Sequence, residues 1–178
     1  MRLRRFTAAD AGALATLHGD AAVMRYIDDP VPHSVVANET LPAILREYAE
    51  LPAGLGQFAA MAPEFVGWFS LKPAGSVGLD PADIELGYRL LPPVWGRGLA
   101  TLGVGLLLRR AFVELDVPRV VATTMAVNVG SRRVLAKAGL RQVDTFFHDW
   151  PDPLPGAEHG DVVYAATREE WRQANATR

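Results

Sequence analysis

The sequence contains no cysteine, which excludes a disulfide framework, a thiol nucleophile and a zinc site of the Cys type. Whatever chemistry the chain performs runs on oxygen and nitrogen groups or on something bound. It also lacks a long apolar run. The stretch from Leu99 to Leu108 is broken by Thr101, Gly103 and Gly105 and falls well short of the ~20 residues that span a bilayer, so no membrane partner is expected. Arg2, Arg4 and Arg5 open the chain, but the alternating Ala/Asp/Gly stretch from Thr7 to Asp20 has nothing of a signal peptide's unbroken apolar segment. A cytoplasmic location is the expectation. A large excess of one charge is absent too: the net charge is -2, unlike a strongly basic nucleic-acid binder. His148, His159 and Asp161 are loosely spaced, so no metal site is expected.

What is present suits one globular domain spanning residues 1–178, with 49% hydrophobic and 21% charged residues. Charge is distributed unevenly. From Asp10 to Tyr88 there are eleven acidic side chains against Arg25, Arg46 and Lys72. From Arg89 to Arg141 nine basic residues face only Glu114 and Asp116. From Gln142 to Tyr164 five acids stand with no Lys or Arg. Each cation alone suits a solvated helix face; together, a basic segment between acidic ones suits an anionic cofactor held beside a cationic substrate.

Leu3 to Phe6 reads as a first strand, and Thr7 with Asp10 as a capping arrangement for a helix from Ala8 to His18. Ser34 to Glu50 is helical, with Pro42 ending, kinking or restarting it. Gln57–Met61 and Phe65–Leu71 form a hairpin, Lys72 to Pro81 a Gly/Pro-rich loop, and Ala82–Leu91 a strand stopped by Pro92 and Pro93. Gly98–Leu115 is a long helix, apolar over most of its surface and expected to be buried. Arg119–Thr124 is a strand, Ser131–Ala138 a helix closed by Gly139, Arg141–Phe147 a strand, Trp150–Gly156 a loop and Val162–Ala166 the last strand. Thr167 and Glu170 open a closing helix. Gly75-Ser76-Val77-Gly78 is not a nucleophile elbow, because the glycine two residues before the serine is missing. This order describes an α/β domain with a mixed sheet.

The turn Leu91-Pro92-Pro93-Val94-Trp95-Gly96-Arg97-Gly98-Leu99-Ala100-Thr101 joins a strand to a helix, with glycine where backbone must approach something closely. Free amides at the helix start, with the positive end of the helix dipole behind them, make an anion site. A tight turn without a ligand would have a similar sequence. The Walker pattern fails for want of Gly-Lys-Ser/Thr, and the dinucleotide pattern fails because Thr101 holds the third glycine position.

Trp95-Gly96-Arg97-Gly98-Leu99-Ala100 resembles the pyrophosphate loop of the GNAT superfamily of N-acetyltransferases, where Gln/Arg-x-x-Gly-x-Gly/Ala cradles coenzyme A. Trp95 replaces the first Gln or Arg, as in the branch of the ribosomal-protein alanine acetyltransferases RimJ and RimL. Downstream, Asn128 to Leu140 resembles that branch's Asn-x-x-Ser...Lys-x-Gly-Phe signature through Asn128, Ser131, Lys137 and Gly139, with Leu140 in place of Phe. The resemblance implies a single GNAT-like domain. Its central, mostly antiparallel sheet splays between the fourth and fifth strands, and helices cover both faces. It implies an N-acetyltransferase that moves an acetyl group from acetyl-CoA, its co-substrate, directly to a primary amine.

In such a fold Leu90 and Leu91 would bond the pantetheine like an added strand. The amides of Arg97, Gly98, Leu99, Ala100 and Thr101 would hold the pyrophosphate, with Trp95 and Gly96 shaping the loop and Arg97 adding charge. Asn128 would reach the pantetheine or a water, and Lys137 would complete the cofactor-binding set. The tyrosine acid common in the family, seven residues after the asparagine, is replaced by Leu135. The resemblance leaves Ser131 to assist the departing thiol, capping its helix being the alternative and compatible role.

Glu85 alternates with Gly87 and Arg89 on the strand face opposite Ile84, Leu86 and Tyr88. A carboxylate there is costly to bury without purpose, which makes it the candidate base, against a structural pairing with Arg89 or another cation. Trp150 and the loop after it are candidates to line the acceptor entrance. Another acyl donor such as succinyl-CoA, a non-catalytic coenzyme A sensor, and a homodimer all stay open.

Overall fold

A computed structural model describes residues 1–77, 79–149 and 151–176. Its strands β1 (Arg2–Arg5), β2 (Gly56–Met61), β3 (Phe65–Pro73), β4 (Ile84–Leu90), β5 (Arg119–Met125), β6 (Arg141–Phe146) and β7 (Asp161–Thr167) are hydrogen-bonded in the order β1-β2-β3-β4-β5-β7-β6, a mixed sheet of seven. The contacts group the chain into two compact units, Met1–Lys72 with Tyr88–Ala100, and Pro73–Gly87 with Thr101–Arg178.

In the first unit β1 (Arg2–Arg5) runs antiparallel to β2 (Gly56–Met61), which runs antiparallel to β3 (Phe65–Pro73). The register slips between Ala60 and Met61. Gly67, opposite Ala60, has φ +141°, and a Cβ there would stand 2.1 Å from the Arg89 carbonyl oxygen. Only glycine permits that approach. A turn at Ala8–Asp10 precedes α1 (Ala11–His18). The capping pair read from the sequence is present, Asp10 accepting from the Thr7 amide at 2.8 Å. Asp10 also pairs with Arg4 at 2.6 Å, and that guanidinium is the main reason its carboxyl is lowered to about 2.

After α1 comes α2 (Ala21–Met24), capped by Asp20, whose carboxylate accepts from the Ala22 and Val23 amides. This short helix has no counterpart in the sequence reading. Next, α3 (His33–Val35) passes through a π-helical turn, Val36–Thr40, into α4 (Leu41–Glu50). The Leu41 amide donates to the Val36 carbonyl, five residues back. The helix thus restarts just before Pro42, whose missing N–H would otherwise interrupt the ladder. Phe6, Leu14, Leu17, Val36, Leu41, Ile44 and Trp68 belong to one buried cluster, and full burial of each large side chain contributes ~1.5–3 kcal/mol.

β4 (Ile84–Leu90) begins in the second unit and ends in the first. Its start pairs in parallel with β5 (Arg119–Met125) through Ile84↔Val120 and Glu85↔Val121. The pairing is reinforced by Arg119 and Asp83 at 2.7 Å. β5 runs antiparallel to β7 (Asp161–Thr167), which runs antiparallel to β6 (Arg141–Phe146). The helices here are α5 (Leu99–Arg109), extended by a π-helical turn over Arg110–Glu114, α6 (Val129–Lys137) and α7 (Arg168–Ala176). Thr167 and Glu170 cap α7 reciprocally at 3.2 and 3.0 Å. The segment from α5 through its π turn buries Val104, Leu107, Leu108 and Phe112, but Leu102, Leu106 and Val113 are exposed. The expectation of a buried helix holds for one face only: apolar residues cover more of its surface than its neighbours do. Among the described residues no helix is long and apolar enough to cross a membrane.

Candidate active site

The end of β4 and the turn after it lie in the first unit. Trp95 folds back so that its indole Nε1 donates to the Leu90 carbonyl at 2.7 Å, while the Leu91 amide donates to the Val66 carbonyl at 2.9 Å. The Leu90 carbonyl and the Leu91 amide are therefore engaged within the chain. Gly96 and Gly98 take φ of +71° and +78°, and a Cβ at either would meet nothing within 4 Å. Their positive φ is a backbone requirement, since the space beside them is open. Among the described residues no backbone carbonyl accepts from the amides of Gly96, Arg97 or Gly98. The first-turn amides of Leu99, Ala100 and Thr101 have no partner earlier in their own helix. An exposed Arg97 stands in the turn. The donors, the cation and the helix dipole all favour an anion such as a pyrophosphate.

The second unit holds the carboxylate and the polar groups around it. Glu85 is partly buried on β4, and Thr123 Oγ1 donates to its Oε1 at 3.4 Å. Thr123 was not singled out from the sequence; its signal was the β-branched run of β5. The helix after β5 starts earlier than the sequence suggested. Its cap is Asn128, whose Oδ1 accepts from the Ser131 amide at 3.1 Å. Ser131 is therefore not the cap, and both residues sit in the first turn of α6. Asn128 keeps its amide Nδ2 for other partners. Lys137 is exposed in the last turn, where a cation suits the helix dipole. Gly139, with φ +97°, closes the helix as read from the sequence.

The first unit also assembles a group that no local spacing revealed. Trp68 Nε1 donates to His18 Nε2 at 3.2 Å. Arg89 lies over the Trp68 ring, with Cζ 5.2 Å from its centroid, and donates to the Met24 sulfur at 3.4 Å. Burial, helped by the charge of Arg89, lowers His18 to about 4. Its imidazole is thus neutral near pH 7, accepting at Nε2 and carrying its proton on Nδ1.

Among the described residues no cluster of three or more His, Asp or Glu could hold a metal ion. Asp161 is raised by burial, with His148 opposing, and His159 faces its neighbour Glu158 at 3.6 Å. Trp150 and Gly78 lie outside the described residues.

The family model described as the acetyltransferase (GNAT) domain matches residues 1–141. FsC-acetyl coenzyme A-N(2)-transacetylase of Aspergillus fumigatus is 41% identical over 124 residues, 66% of this chain and 52% of that protein. The chain thus spans about half the length of that curated relative. A GNAT-family acetyltransferase from Bacillus anthracis superposes with a TM-score of 0.70 at 21% identity, over 94% of each chain. The aminoglycoside acetyltransferase AAC(6')-Ib, solved in complex with coenzyme A, gives 0.76 at 17% identity, over 97% of this chain and 98% of that one. These two structures share the fold.

Proposed function

We infer the reaction from one premise: this chain belongs to the acetyltransferase (GNAT) family. Acetyl-CoA is then the acyl donor, and we propose that the chain transfers the acetyl group directly to a primary amine, on a protein N-terminus or a small molecule. The reading is carried by the turn before α5, where Gly96 and Gly98 leave open space beside amides that no backbone carbonyl of the described residues engages and Arg97 adds a cation. Trp95 at its start and Asn128, Ser131 and Lys137 downstream support a place near the ribosomal-protein alanine acetyltransferases.

In this reading Gly96 to Thr101 and Arg97 bind the pyrophosphate, and Leu90 and Leu91 line the pantetheine, with Trp95 packing the turn onto the Leu90 carbonyl. Asn128 offers its Nδ2. Glu85 takes a proton from the ammonium, directly or through a water, and Thr123 orients the carboxylate. The freed amine nitrogen bonds to the thioester carbon and the carbon–sulfur bond breaks; Ser131 gives its proton to the leaving thiolate and takes up the remaining excess proton of the acetylated nitrogen. The products are an N-acetyl amine and coenzyme A.

Thermal unfolding with and without acetyl-CoA tests the donor, because a ligand that binds only the folded state raises the melting temperature. We expect an upward shift that is abolished in Gly98→Val, a residue that resists φ +78°. Thiol release with a panel of amines should then fall at least about tenfold in Glu85→Gln and in Ser131→Ala. No shift at millimolar acetyl-CoA would overturn the transferase reading. A shift with turnover untouched in both variants would remove these residues from the chemistry.

A further inference from the structure

Arg89 is a partly buried cation without a carboxylate partner. Among the described residues no Asp or Glu stands within ion-pair distance of it. Among the described residues its side-chain hydrogen bond goes to the thioether of Met24 at 3.4 Å, a weak acceptor for a group with five donors. Asp28 acts on it only at a distance, and Asp28 is itself exposed, accepting from the Asp29 amide. A guanidinium so placed is costly to desolvate and is usually paired.

The surroundings hold this cation in place and leave its charge uncancelled. The Trp68 ring supports it from beneath, and His18 pins that ring through Trp68 Nε1. The imidazole accepts that bond as a neutral group, so it neither pairs with Arg89 nor screens it. No N–H of Arg89 is both fully buried and without a hydrogen-bond partner among the described residues, so its unbonded N–H edges keep a path to solvent. A planar fork on an aromatic floor matches a carboxylate, which it can grip with two parallel bonds.

We propose that Arg89 is a specificity residue that binds a carboxylate carried by the substrate. This rests on the transferase reading above and narrows it. The carboxylate is carried either by the amine acceptor, as in an amino acid or similar zwitterion, or by a dicarboxylic acyl donor, and the test separates the two.

Amines that differ only in the carboxylate test the proposal: lysine against cadaverine, ornithine against putrescine, tyrosine against tyramine. Thiol release from acetyl-CoA should favour the carboxylate-bearing member of at least one pair by about tenfold or more in kcat/KM. In Arg89→Gln that ratio should fall to within about twofold of unity, chiefly through KM, with Arg89→Lys intermediate. A preference for succinyl-CoA over acetyl-CoA, lost in Arg89→Gln, would support the same site and assign the carboxylate to the donor. Tryptophan fluorescence titrated with the same compounds reads the site without turnover. Persistence of acetyl-CoA's thermal shift in Arg89→Gln shows that the variant folds. No carboxylate-dependent difference in either readout, or one that survives Arg89→Gln, overturns the proposal. Loss of acetyl-CoA binding by the unaltered protein overturns the transferase reading instead.

Discussion

His18 shows how burial changes a side chain's chemistry. Held at about 4 in the folded protein, it stays neutral while the unfolded chain takes up a proton below about 6.5. The folded-state value is depressed, so the unfolded state binds more protons across that window and stability falls with pH from about 6.5 to about 4. The loss is on the order of 2 kcal/mol after allowance for solvent screening. Asp10, lowered to about 2, adds a loss only at lower pH, as its ion pair is protonated away. Asp161, raised by burial, acts in the opposite sense, since its folded state favours the protonated acid. Comparison of two proteins therefore isolates His18. We expect the melting temperature of His18→Gln to change less between pH 7 and pH 4.5 than that of the unaltered chain, Gln replacing the acceptor for Trp68 Nε1 without titrating. Equal slopes would show that His18 is not held neutral.

Among the elements, α6 separates a helix cap from a ligand contact. Replacing Asn128 by Ala removes the acceptor for the Ser131 amide and should cost about 1 kcal/mol, a drop of about 2–4 °C in melting temperature. Asn128→Asp should restore stability, because a carboxylate caps equally well. If thiol release stays low in Asn128→Asp, the lost Nδ2 donor is what coenzyme A needs. This helix also marks the limit of sequence reading. Asn and Ser are both good caps, and only the geometry chooses Asn128. The pairs Thr7 with Asp10 and Thr167 with Glu170 were legible because the partners are three residues apart. The turn before α5 was legible as a turn because its glycines, its prolines and the helix after it are contiguous. By contrast α2 was missed, a four-residue helix being too short to show a period. The exposed Leu102 and Val113 were misjudged because composition does not say how much neighbouring structure is available to cover a helix. His18, Trp68 and Arg89 are brought together from distant parts of the chain, and no local pattern encodes that.

At the scale of the whole molecule, each unit is built from separated stretches of chain. The first needs Tyr88–Ala100 to complete it, and the second needs Pro73–Gly87. β4 contributes residues to both, so the strand cannot be lost from one unit without disturbing the other. We therefore expect one cooperative thermal transition, with calorimetric and van't Hoff enthalpies equal; two resolved transitions would refute this. The same interleaving bears on biosynthesis. When a ribosome has released Lys72, the first unit still lacks Arg89 and Leu91 and the turn that follows them. It must wait for fifteen intervening residues that belong to the other unit. The β1–β2 pairing joins Arg5 to Phe58, a long closure that slows folding in its own right. The nascent chain consequently emerges with an unfinished sheet edge, and neither unit is expected to fold when the chain is expressed in halves.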